Sequence, residues 1–242
     1  MTYRFLILLL VVGLVSCSNK EKIAFYFDNG SIKSEGYLVN GLKEGEAKVY
    51  YESGRIKEKG IWKNDKQEGL WILYYNIDSI RSAEINFKNG LQDGLTTYYY
   101  ENGKIKEKSF WLDGKLEGES NLYYDNGELK QKGFWHQGLQ NGKFNAYYDS
   151  GSILQIGDWK DGKQNGMYVT YYRNGKVMNE LPWSDGKING YGKHFYENGN
   201  LEQEGNYKDD NFDGDWKIYN QEGKYVKTLR YDNGILLVES RK

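Results

Sequence analysis

Side chains able to do acid–base, nucleophilic or metal chemistry are sparse in this chain and poorly placed for it. Only His136 and His194 carry imidazoles, and Cys17 is the only cysteine. The two histidines stand at different offsets of different repeats, so a shared metal or proton-transfer site is not expected. Carboxylates are abundant but evenly spread, the pattern of a solvated surface. Acids and amides also gather beside glycine, at Asn40-Gly41, Asn89-Gly90, Asp113-Gly114, Asp161-Gly162 and Asp185-Gly186. Their spacing fits neither an EF-hand nor a nonapeptide calcium repeat. Asn-Gly and Asp-Gly are favoured hairpin turns because they tolerate positive φ, and the turn reading is preferred. No glycine-rich phosphate loop enters a helix. No catalytic residue, metal or cofactor is expected.

The elements that must position everything else follow from a tandem repeat. Glycines recur at Gly30, Gly54, Gly103, Gly127, Gly151, Gly175, Gly199 and Gly223, 24 residues apart except for one gap of 49 that holds a degenerate copy around Asp78. Most follow an aromatic doublet, as in Tyr123-Tyr124-Asp125-Asn126-Gly127. A fixed period predicts a stack of small units rather than one globular core. Within a unit, two short β-prone segments flank turn chemistry, so each repeat reads as a β-hairpin. Counted from the repeat glycine, offset two is aliphatic (Ile56, Ile105, Leu129), offset six is often glycine (Gly36, Gly60, Gly133, Gly157, Gly205) and offset eight is aromatic (Trp62, Trp111, Trp135, Trp159). Alternation puts these on one packed face, with the second tyrosine of each doublet. Glycine there leaves room for a ring to lie on the backbone. The third repeat departs, with Asp78 and Glu84 where glycines are expected and one inserted residue. Pro182 in the seventh cannot donate to a ladder and predicts a bulge or local opening. Roughly seventeen strands are expected, enough for an open sheet to twist or curl.

The opposite face holds a candidate binding stripe. Its rings are Tyr50, Tyr74, Tyr99, Tyr123 and Tyr147, and its cations are Lys33, Lys57, Arg81, Lys106 and Lys130. Such a ladder is either a solvated face with cation–π support or a stripe for an extended anionic polymer or acidic partner. Net charge is −1 over 242 residues, so nothing drives the whole chain toward nucleic acid.

The N-terminus reads separately. Arg4 precedes a continuous apolar run, Phe5 to Val12, too short to span a bilayer and proportioned like a secretory signal helix. Leu14-Val15-Ser16-Cys17 resembles a bacterial lipobox, which implies a signal peptide over 1–16, a lipidated Cys17, and a short tether over 17–23. Ser18 is not aspartate, which by resemblance to enterobacterial sorting implies the outer membrane, periplasmic or surface-facing.

The repeats, best seen from Tyr123 through Gly133, Trp135, Gly138 and Gly142, resemble the bacterial variant of MORN repeats, many of whose members are labelled YwqK-like antitoxins. The resemblance covers residues 24–239: eight repeats of about 24 residues and a partial copy, Tyr225 to Glu239, as a C-terminal cap. It implies an all-β fold, an elongated, twisted antiparallel sheet of consecutive hairpins. The functional expectation is a non-catalytic, lipid-anchored scaffold at the cell envelope for an unknown protein partner or an extracellular or periplasmic polymer. Two alternatives are an antitoxin or immunity protein, as the family label suggests, and a module that binds a lipid surface directly.

Overall fold

The structure, a computed structural model, describes residues 19–77 and 79–241. The expected signal peptide, Cys17 and Asp78 lie outside the described residues. Those described form one all-β, antiparallel sheet of 23 strand segments. In four places two segments lie on the same arm, so nineteen arms stand side by side, two more than the repeat count alone suggests. One extra is the first strand, Lys20–Tyr26, which pairs with Ile32–Val39. The expected tether residues from Lys20 to Ile23 are therefore part of the ladder. The other is Ile235–Arg241, which closes a full hairpin with Tyr225–Asp232 where a partial copy is expected.

Each hairpin has an outgoing arm of eight residues, such as Ile56–Lys63, a tip, and a return arm such as Lys66–Tyr74. The tip chemistry is visible at Asn40 and Gly41, whose φ values of 53° and 82° are those of a two-residue hairpin turn. Each tip also leans on the previous one. The Gly114 N–H donates to the Gln92 carbonyl at 2.8 Å, and the Gly138 N–H to that of Leu116 at 2.9 Å. Tip acids work here as backbone acceptors: Glu117 accepts the Gln137 N–H at 2.8 Å and bonds His136 Nδ1 at 2.9 Å. Those bonds hold its carboxyl below the usual range.

The first tyrosine of each doublet occupies a β-bulge. The ladder shifts register between Val49 and Tyr50, Leu73 and Tyr74, Tyr98 and Tyr99, and Leu122 and Tyr123. The second tyrosine then reaches into the next repeat. Tyr51, Tyr75, Tyr100, Tyr124, Tyr148, Tyr172 and Tyr196 each donate a hydroxyl hydrogen bond to the carbonyl of the bulged residue one repeat on, at 2.6–2.9 Å. A bulge takes a carbonyl out of regular pairing, and the staple supplies it with a donor.

One face, hereafter the ring face, carries the packing. Trp71 is 2% exposed, Tyr168 3% and Trp216 0%. Their rings lie on Gly60, Gly157 and Gly205, where an added Cβ would fall among the ring atoms. Edge contacts join rings within a hairpin, as at Trp62–Trp71 (5.4 Å, 87°) and Tyr207–Trp216 (5.0 Å, 87°), and between hairpins, as at Trp71–Phe87 (6.3 Å, 79°). In the middle of the sheet hydroxyls replace rings: Thr96, Ser109 and Ser120 are buried, and Ser109 Oγ accepts the Trp111 indole N–H at 3.1 Å.

Two readings of the disrupted repeats need correction. The inserted residue of the third repeat precedes the strand Arg81–Lys88, so Ile85, not Glu84, takes the glycine position opposite Trp71. Pro182 causes no register shift against its preceding neighbour, pairing with Met167 in an unbroken strand, Val177–Ser184. On its other side the return arm is split at Asn189, whose N–H donates to the Pro182 carbonyl at 2.9 Å. The same split occurs at Glu44, Asn141 and Asn165, opposite Tyr37, Phe134 and Asp158. The proline sits where the ladder is already interrupted.

Candidate interaction surface

The residues of the expected stripe separate into two groups. Lys33, Lys57, Lys106 and Lys130 lie over Phe27, Tyr51, Tyr100 and Tyr124 at 5.4–5.9 Å. Apart from Phe27 these rings are the stapling second tyrosines, so the lysines line the corners rather than the first-tyrosine row. Arg81 leaves the series altogether. It pairs with Tyr74, as Ile56 pairs with Tyr50, and its guanidinium bonds Glu84. The insertion before it moves the whole strand by one place, and a one-residue slip changes which face a side chain takes.

The first tyrosines do share the second face, hereafter the open face, but with acids. Tyr50 donates to Glu35 at 2.6 Å and Tyr99 to Glu84 at 3.0 Å. Burial, then the Glu35 hydrogen bond, pushes the Tyr50 phenol up to about 12, and the Tyr50 and Lys22 contacts hold the Glu35 carboxyl down. Tyr147 accepts from Asn145 at 3.3 Å, and Tyr74 lies under Lys59 at 5.8 Å. Glu35, Lys48, Lys59 and Ile72 are successive ladder partners in a transverse row, which continues through Glu84, Thr97 and Lys108. Both signs of charge occur along it. Offset five, not offset three, therefore supplies the cations beside these tyrosines. Both offsets are odd, so parity does not separate them; the register shift at each corner does, since it leaves Lys57, Lys106 and Lys130 out of the pairing.

Next to this row runs a line of apolar side chains that the sequence reading missed. Leu95 pairs with Phe110 and Met167 with Pro182 across the ladder. Ile61, Leu70, Leu95, Phe110, Met167 and Tyr191 are 43–50% exposed. Leu95, Phe110, Lys108, Glu119, Asn121 and Tyr123 line one shallow depression. Lys132 pairs with Glu119 at its rim, at 2.8 Å.

Among the described residues no group of three or more His, Cys, Asp or Glu is placed to hold a metal. His194, half-buried on the ring face, is satisfied within the fold. Its Nδ1 lies 2.6 Å from the Asn179 carbonyl oxygen and its Nε2 lies 2.7 Å from the Tyr207 hydroxyl. An amide oxygen only accepts, so the proton belongs on Nδ1 and Tyr207 donates to Nε2. Burial pushes the His194 pKa down and that of Tyr207 up to about 12.

Five segments, residues 43–64, 92–113, 116–137, 164–185 and 188–209, match the family model described as MORN repeat variant. Each runs from one tip, through the tyrosine corner, to the next tip. No curated protein matches the chain. Among solved structures, a chain in the crystal structure of TcdB2-TccC3 is similar at 10% identity and TM-score 0.17, over 87% of this chain and 14% of that one. A chain in the TcdB2-TccC3-Cdc42 crystal structure is similar at 10% identity and TM-score 0.16, over 92% and 13%. This chain thus spans about a seventh of the solved chains it matches. The five matched segments follow in order along a single continuous ladder and support a MORN-repeat protein.

Proposed function

We propose that the protein is a non-catalytic interaction scaffold, anchored at the cell envelope through a lipidated Cys17, that takes a protein partner on its open face. The observation that carries this is the Leu95–Phe110 pair, exposed beside Lys108, Glu119 and Tyr123 and continued along the sheet by other apolar residues. Exposed apolar side chains in a row with a polar rim are the mark of a protein interface. Mixed charge along the neighbouring row suits a protein better than a uniform polyanion, because Glu35 and Glu84 would repel the latter. A regular surface also lets weak contacts add by avidity. Trp71, Tyr168 and Trp216 are spent on packing against glycine, so the ring face does not offer those rings to a lipid surface.

Affinity capture with the Cys17→Ser chain tests the proposal. Phe110→Asp is expected to abolish recovery of the partner, while Lys57→Glu, Lys106→Glu and Lys130→Glu together leave it bound. Loss of the partner in the lysine variant alone would move the site to the corners. Recovery of a toxin as the captured protein would assign the immunity role to the same surface.

A further inference from the structure

The packing of the ring face changes near the N-terminal end. Three glycines of the central row carry a ring from the return arm of their own hairpin, Trp71 on Gly60, Tyr168 on Gly157 and Trp216 on Gly205, and Gly133 carries Trp135 of its own strand. In the hairpin of Ile32–Val39 and Gly45–Tyr50 that ring is replaced by Ala47. A Cβ on Gly36 would meet Ala47 Cβ at 3.5 Å, ordinary contact, with no ring above it. The result is a slot of about 140 Å³, open to solvent, with Gly36 and Ala47 in its lining. Ile23, Phe25, Val49 and Trp62 are its apolar walls. Phe25 is largely exposed, whereas Ile23, Val49 and Trp62 beside it are half-buried.

The slot also differs in charge. Lys43 contributes to its lining and holds its ammonium 4.4 Å from the Trp62 ring centroid, with no carboxylate at ion-pair distance among the described residues. The corresponding return-arm position in other hairpins is neutral: Gln67, Gln92, Leu116, Gln140, Gln164 and Ile188.

We propose that this slot binds an aromatic side chain flanked by an acidic residue, presented by a protein partner. The fold supplies the measure of the occupant, since an indole or phenol ring fills the equivalent space in other repeats. Lys43 supplies the charge preference, through an exposed ammonium at the rim of an apolar trough. The proposal rests on the scaffold reading and adds a second, chemically specific contact on the face opposite Leu95 and Phe110.

The test is methyl NMR of the full-length chain, following Ile23, Ala47 and Val49 during titration with N-acetyl-Asp-Trp-Asp-amide. Saturable shifts are expected, with none from the Asp-Ala-Asp counterpart and weaker ones from Lys-Trp-Lys. Ala47→Trp, which restores the ring used elsewhere, should abolish binding at Ile23 and Val49. Lys43→Gln, a surface change that leaves the packing intact, should weaken affinity by about two- to fivefold. It keeps the proposal testable if Ala47→Trp does not fold. Absence of saturable shifts, undiminished binding in Ala47→Trp, unchanged affinity in Lys43→Gln, or tighter binding of Lys-Trp-Lys would each overturn it. So would contacts from those methyls to residues before Lys20, or to a second copy, in the peptide-free chain. A chain that captures its partner through Phe110 yet ignores the tripeptide leaves the scaffold reading standing and removes the slot.

Discussion

Adjacent tyrosines in this chain have different work, and that difference is measurable. The Tyr124 hydroxyl donates to the Tyr147 carbonyl at 2.8 Å, whereas the neighbouring Tyr123 side chain lines the open-face depression. Tyr124→Phe leaves a part-buried carbonyl without its donor and is expected to cost about 1 kcal/mol in urea unfolding. Tyr123→Phe should cost clearly less. Equal losses would mean the staple is not what holds the repeats together. Glycines can be ranked in the same way. Gly60→Ala places a methyl group inside the Trp71 ring and forces the indole off the backbone, so a loss of about 2–3 kcal/mol is expected. Gly36→Ala meets Ala47 and the Glu46 carbonyl oxygen at ordinary contact distances and should melt close to the parent. Much of this was legible beforehand, because an aliphatic, a glycine and an indole at even offsets can share only one face. The staple was not: a hydroxyl reaching a carbonyl in the next repeat depends on where the bulge leaves that carbonyl, and no residue type announces a bulge.

At the scale of the strand and hairpin, register decides what can be read. Alternation placed Gly60, Gly157 and Gly205 correctly because they lie beyond the corner bulge, where pairing runs unbroken from Glu58 to Trp62, Gln155 to Trp159 and Gln203 to Tyr207. Counting across the third corner failed, because the extra residue lies before Arg81 and shifts the strand, putting Ile85 where Glu84 was expected. Lysines at offset three were assigned to the first tyrosines on parity, but the bulge at each corner left them over the second. The hairpin around His194 carries a prediction of its own. With its pKa in the folded state below the ordinary value of 6.5, the unfolded chain takes up this proton first as pH falls. The stability it contributes is therefore complete above about 6.5 and declines on acidification from there. Thermal unfolding should show a falling midpoint between pH 7 and 5, and His194→Gln should flatten it. Glu35, Glu117, Glu119, Asp149 and Asp215 have pKa values below their ordinary values of 4.5 and 3.8, so their losses come at lower pH. An unchanged slope in His194→Gln would remove this assignment.

The described residues form a ribbon in which tips, arms and corners each bond to the next copy, and no element among them closes the sheet on itself. Ladder pairings join neighbouring arms, and the hydroxyl staples step one repeat at a time. Stability should then be close to a sum of repeat and nearest-neighbour terms rather than a property of one core. Removing residues 128–151 excises one 24-residue period and joins Gly127 to Ser152. The corner Tyr123-Tyr124-Asp125-Asn126-Gly127 is retained, and Tyr171 offers its carbonyl to Tyr124 in place of Tyr147, as it already does to Tyr148. Two arms are lost, so the ribbon should shorten by about 10 Å along its contour. Circular dichroism is expected to keep its strand signature, with a lower urea midpoint and a smaller slope as less surface is exposed on unfolding. Because Leu95, Phe110, Gly36 and Ala47 all lie outside the excised period, capture of a partner through Phe110 and tripeptide binding at the slot should both survive. Removing half a period instead, residues 128–139, would set an outgoing arm against the wrong face of its neighbour and should unfold the chain. If the full-period deletion proved as damaging as the half, the repeats would be cooperating over longer range than their bonds indicate.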